Sequence, residues 1–172
     1  MRAQQLRELQ APLKEEYRRS PDAARVTLSA TGRIGAGVSC RVETGKALVE
    51  AGLHPATGGT GLQACSGDML LEALVACAGV TLAAVAAALD IELRDAVVTA
   101  EGDLDFRGTL GVAKDAPVGF ERVRLHFELD TDASDGQVAT LLRLTELYCV
   151  VAQSLRNPVD VGVGHDRNLG RS

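Results

Sequence analysis

The sequence predicts an α+β fold in which long buried helices pack on curved antiparallel sheets, and three observations carry that expectation. Short runs of alternating apolar and polar residues lie on either side of one long apolar stretch. A second stretch with helical spacing follows near the C-terminus, and helical and strand patterns segregate rather than alternate. The 172 residues suit one domain with a short appendage, placed at 1–23, which leaves 24–172 as the folded domain.

The elements follow in order. Leu6, Leu9 and Leu13 recur among Arg, Glu and Lys as an amphipathic helical stripe, which Pro12 interrupts and "SPDAA" ends. From Arg25 the runs "RVTLSA", "GVSCRVE" and "KALVEAG", separated by "TGRIGAG" and "TGK", read as a small antiparallel meander with turn glycines. "HPATGGTGLQAC" is a loop, because Pro55 and three closely spaced glycines deny it a ladder or a helix.

Ser66 to Leu89 then reads as a helix, with Ser66 placed to cap it and Asp68 and Glu72 in its first turns. Its charge-free part, from Ala73 to Leu89, falls short of the roughly 20 strongly apolar residues a bilayer needs, and alanine supplies much of it. It is expected inside protein, not lipid. Being apolar nearly all round, it needs cover on two sides, and a second copy of the chain is the simplest source; a homodimer is expected.

"ELRDAVVTAEGDLDF" and "FERVRLHFELD" follow as strands, joined by "RGTLGVAKDAPVG" as a loop or hairpin connection. The second strand puts Val123, Leu125, Phe127 and Leu129 on one face and Arg122, Arg124, His126 and Glu128 on the other. Ser134 with Gln137 forms a capping-box start. Val138, Leu141, Leu142, Thr145, Cys149 and Ala152 then recur at helical spacing, which predicts one helix to about Arg156. Asn157 and Pro158 end it, "VDVGVG" reads as a last strand, and "HDRNLGRS" as a frayed tail.

Composition narrows the function classes. A net charge of -5, scattered basic residues and few aromatic rings offer no footprint for nucleic acid. The N-terminal stretch has no apolar core of the kind a signal peptide carries, so a cytoplasmic location is expected. Thiols stay reduced there, so Cys40, Cys65, Cys77 and Cys149 are core residues, metal ligands or redox groups rather than a disulfide framework. No pair has the spacing of a zinc knuckle or of Cys-X-X-Cys. His54, His126 and His165 fall on a loop, an exposed strand face and the tail, and none suggests a Cys-His nucleophile. Cys77 shares an apolar stripe with Leu70, Ala73, Leu74, Val80 and Ala84, and Cys149 one with Leu142 and Thr145. On the residues alone, each is either a small buried hydrophobe or a reactive group.

The run "CSGDMLLEALVACAGVTLAAVAAALDIELRDAVVTAEGDLDF", followed by "GFERVRLHFELDTDASDGQVATLLRLTELYCVVAQSLRNPVDVGV", resembles the OsmC/Ohr family of osmotically induced and organic hydroperoxide resistance proteins, over roughly residues 24–164. A polar turn opens an Ala/Leu-rich helix with a central Cys, an "EGDLD" strand follows, and a "GF" strand precedes a helix with the second Cys. The resemblance implies an intertwined homodimer with two interfacial sites. Each site would reduce a small-molecule hydroperoxide with a Cys pair, regenerated by an external dithiol reductant, without metal or organic cofactor. It implies Cys77 as the attacking thiol, Cys149 as the resolving one, and Arg33, in "TGRIGAG", as the cation that holds the thiolate.

The chain departs from the family in two places. Relatives of the Ohr type carry a Glu ten residues before the first Cys, where this chain has Gly67, with Asp68 and Glu72 following. Where relatives read His-x-x-Cys-Pro, this chain has Glu146, Cys149 and Val150. An OsmC-like branch is therefore expected. The first reading is a thiol peroxidase for organic hydroperoxides; the others are a dimer that binds a small apolar ligand and a thiol redox sensor. The peroxidase reading expects a Cys77–Cys149 disulfide on oxidation, because adjacent packed helices lie about 8–10 Å apart, with Cys65 as an alternative resolving thiol.

Overall fold

The computed structural model describes residues 3–34, 40–42 and 51–157. The expected strand "KALVEAG" lies outside them up to residue 50, as do the last strand at 159–164, the tail and His165.

Four strands form one antiparallel sheet: β1 (Arg25–Ile34), β2 (Cys40–Val42), β3 (Asp95–Asp105) and β4 (Phe120–Asp130), in the order β2-β1-β3-β4. β1 is a correction to the meander reading. It runs without a turn through Gly32, because its register with β3 holds from Arg25 opposite Asp105 to Arg33 opposite Val97, and continuous ladder pairing outweighs one glycine. β4 is as expected: Val123, Leu125, Phe127 and Leu129 pack against the core while Arg122, His126 and Glu128 face water. The β3–β4 ladder slips at Asp103/Leu104. A Cβ on Gly102 would lie 2.4 Å from the Phe120 ring, so the glycine makes room for that ring.

The long apolar stretch is α2 (Ser66–Ala88). Its N-cap is Cys65, without a side-chain cap bond, so Ser66 opens the helix instead of capping it, and Leu89 is its C-cap. α2 buries Leu71, Leu74, Val75, Ala78, Leu82 and Ala86 in a core shared with Ala96, Val98 and Ala100 of β3. Burying a leucine is worth about 1.5–3 kcal/mol, so this face anchors the helix to the sheet. The stripe expected to bury Cys77 is a different one: Leu70, Ala73, Val80 and Ala84 are exposed, and Cys77 lies at the boundary. By length and composition α2 could cross a membrane, but its core-facing side is packed on protein here.

The predicted C-terminal helix is two: α4 (Asp135–Tyr148) and α5 (Val150–Arg156), bent by 68° at Cys149. The capping box forms as expected, with the Ser134 N–H donating to Gln137 Oε1 at 2.9 Å and the Gln137 N–H to Ser134 Oγ at 3.4 Å. The connection after β3 holds a four-residue helix, α3 (Phe106–Thr109), capped by the Asp105 carboxylate.

The N-terminal appendage is α1 (Ala3–Arg19), helical straight through Pro12. Tyr17 is buried in a second, smaller core with Ala24, Phe106 and Leu110. Its hydroxyl donates to the Ala56 carbonyl at 2.6 Å, and Gln10 Nε2 donates to the Thr57 carbonyl at 3.2 Å. α1 is thereby tied to the 3-10 turn Pro55–Thr57, beside His54, whose ring stacks on Phe106 at 4.8 Å.

Candidate active site

Cys77 and Cys149 stand 72 positions apart in the chain, and the packing of α2 against α4 and α5 brings their thiols together. The bend does this. Thr145 donates its hydroxyl to the Leu141 carbonyl at 2.8 Å, a back-bond that favours helix bending, and the β-branched pair Val150–Val151 is a poor continuation. Cys149 takes an extended conformation (φ -72°, ψ 105°) and serves as C-cap of α4 and N-cap of α5. Its side chain is fully buried, whereas Cys77 is half-buried.

The two sulfurs sit in opposite electrostatic settings. Burial pushes the Cys77 thiol up. The Val151 N–H, the Cys149 thiol and the Val150 N–H all donate toward its sulfur, with the Thr81 hydroxyl close by, and the net result lies below the ordinary thiol value. Thr81 Oγ1 also bonds the Cys77 carbonyl at 2.8 Å. For Cys149 burial again pushes up and outweighs the Ala152 and Val151 amides, which pull down; donation to Cys77 adds to the rise, and the thiol is pushed up to about 11. The negative charge is therefore favoured at Cys77 over Cys149, which holds its proton the more tightly of the two.

Beside Cys149 lies an open groove of about 860 Å³. Leu70, Leu74 and Ala78 of α2, Phe120, Val123, Leu125 and Phe127 at β4, and Leu142 and Leu155 make it mainly apolar, and Arg122, Arg143, Glu146 and Arg156 add charge to its lining.

The other residues singled out in the sequence lie elsewhere. Arg33 is in β1 rather than in a turn, exposed, with its guanidinium in an ion pair with Asp95. Cys65 caps the far end of α2; twelve residues at 1.5 Å each put it about 18 Å along the axis from Cys77, beyond disulfide reach in this conformation. Gly67 and Asp68 are about 14 Å away by the same measure, and burial raises the Asp68 carboxyl while His54 lowers it. His126 is on the exposed face of β4 and Cys40 lies in β2. No three His, Cys, Asp or Glu side chains converge as a metal-ligand set among the described residues.

Sequence reasoning missed Thr81 and the amides of Val150 and Val151. Thr81, one turn after Cys77, was legible as a neighbour on the same helix face. The amides were not, because they exist as free donors only where the helix breaks.

The family model described as OsmC-like protein matches residues 59–164. The chain belongs to the OsmC-like family. The matched span holds α2, the sheet pair β3–β4 and the bent α4–α5 helix with both thiols; α1 and β1 precede it. Among solved structures, this OsmC-like chain is similar to an OsmC-like hydroperoxide resistance protein from Jannaschia sp. CCS1. The TM-score is 0.59 at 15% identity, over 80% of this chain and 91% of that one, a likeness of fold. No curated protein matches the chain.

Proposed function

We propose that this protein is a thiol peroxidase for organic hydroperoxides, with Cys77 as the attacking and Cys149 as the resolving cysteine. The observation that carries the reading is the contact between a thiol favoured as thiolate and a buried neutral thiol that donates to it. The Cys77 thiolate attacks the outer peroxide oxygen. The O–O bond breaks, Cys77 is oxidised to the sulfenic acid, and the leaving alkoxide takes a proton to depart as the alcohol. The Cys149 sulfur, giving up its proton, then attacks the sulfenic sulfur; an S–S bond forms and water leaves. An external dithiol supplies the two electrons that restore both thiols. The mainly apolar groove, which Cys149 lines and Cys77 does not, suits an alkyl chain better than hydrogen peroxide. The step itself calls for neither metal nor organic cofactor.

A homodimer in a reducing, cytoplasmic setting belongs to the same reading. Val150, Tyr148 and Leu147, which flank Cys149 in the chain, are 70%, 62% and 50% exposed in the single chain, and Leu70 and Val80 of α2 are exposed as well. Arg33 supports the thiolate in this reading only where its guanidinium leaves Asp95, so Arg33→Ala should slow Cys77 alkylation near neutral pH.

Thiol titration before and after one equivalent of cumene hydroperoxide tests the chemistry, with two thiols lost per chain as the expected result. Cys77→Ser should lose no thiol, whereas Cys149→Ser should still consume about one equivalent and stall at the sulfenic or a higher oxide. Unchanged thiols in the unaltered protein would leave the groove as the site of a non-enzymatic ligand-binding dimer.

A further inference from the structure

In an unbroken helix the Glu146 carbonyl would accept from the Val150 N–H, four residues on. Here that N–H is turned toward the Cys77 sulfur. The carbonyl is not abandoned: Gln153 Nε2 donates to it across the bend at 2.9 Å. The Gln153 side chain thus stands in for the amide that the bend diverts. A second tie runs alongside, an ion pair between the Glu146 carboxylate and the Arg156 guanidinium, both half-exposed, joining the end of α4 to the end of α5. The α5 side of the hinge is fixed by the Gln153 N–H, which bonds the Cys149 carbonyl at 2.9 Å, so both ends of Gln153 hold the Cys149 region.

We propose that Gln153 is a positioning residue for the thiol pair: by satisfying the Glu146 carbonyl it frees the Val150 amide for Cys77 and holds the bend that keeps Cys149 against it. The Glu146–Arg156 pair adds to the same clamp, modestly, because an exposed pair is screened. Gln153 touches neither sulfur in this role and acts through the backbone. Straightening α4 into α5 would return the Val150 N–H to Glu146, withdraw a donor from Cys77 and carry Cys149 away. For turnover the proposal rests on the peroxidase reading; for the state of Cys77 it does not.

The test follows Cys77 directly. Gln153→Met keeps the length of the side chain and removes the donor; Gln153→Lys keeps a donor. Alkylation with iodoacetamide, read at the Cys77 peptide by mass spectrometry across pH, should show Gln153→Met reacting about fivefold more slowly near neutral pH with a raised midpoint. Gln153→Lys should return toward the unaltered profile. An unchanged midpoint in a folded Gln153→Met protein would overturn the proposal, as would a slowing that the lysine fails to reverse. In the unaltered protein, the Val150 and Val151 amide resonances should move with the Cys77 titration; if they do not, the proposal falls without any variant. Cumene hydroperoxide consumption is measured separately: its absence in the unaltered protein sinks the peroxidase reading and leaves the alkylation result to decide this one.

Discussion

Two helix-packing regions of this molecule treat their polar groups in opposite ways. Around α1 and α3 the small core is closed by committed hydrogen bonds. The buried Asp105 carboxylate takes the Arg107 amide at 3.0 Å and the Arg107 guanidinium, and Tyr17 is fastened to Ala56. Along the seam of α2 with α4 and α5 the leucine core is as well buried, but its edge holds two unoxidised thiols, diverted amides and a row of exposed apolar side chains. The first region spends its polar groups on holding the chain together. The second sets the amides of Val150 and Val151 beside a sulfur whose charge can change, and leaves apolar side chains uncovered in the single chain.

Substitutions can sharpen this contrast. The largest effect on stability is expected from Asp105→Ala, which strips a buried carboxylate from Arg107 and the α3 cap at a cost of about 3 kcal/mol, read by urea unfolding, with the thiols unaffected. Its pH dependence has a definite sign. The Arg107 guanidinium holds the Asp105 carboxyl below the usual carboxylate range, so its stabilisation is present above the unfolded value of about 3.9 and lost as pH falls through the lower folded value. Asp105→Ala should therefore show a shallower loss of stability in acid than the unaltered protein. The smaller effect is expected from Tyr17→Phe. It removes one hydrogen bond to Ala56, about 1 kcal/mol, and should speed amide exchange at Ala56 and Thr57 while Cys77 alkylation stays unchanged. A change at Cys77 would mean that the two regions are coupled rather than separate.

How far each region could be read in advance follows from where its determinants lie. β4 was legible because strict alternation leaves one arrangement of faces, and α2 because no charge interrupts it from Ala73 to Leu89. The passage of β1 through Gly32 was misread, since a glycine in a polar run looks like a turn until a partner strand is in register beside it. The break at Cys149 was invisible for a related reason. Helical spacing runs unbroken from Val138 to Ala152; the Thr145 back-bond and the Val150–Val151 pair favour a break locally, but the contacts across it, Gln153 to Glu146 and the Val150 amide to Cys77, join groups that local patterning does not connect. The identities of the two cysteines could be picked from the sequence, but the opposite settings of their thiols arise only from that bend. In the same way, the alternative resolving role for Cys65 could be weighed only once the length of α2 set it apart from Cys77, with its side chain packed against the core.

The most direct test of the account is peptide mapping of the protein after one equivalent of cumene hydroperoxide, with thiols blocked at the moment of quenching. A single new linkage joining the peptides of Cys77 and Cys149, reversed by dithiothreitol, is the predicted result. A Cys77–Cys65 linkage, or a Cys77 that stays reduced under excess hydroperoxide, would contradict it.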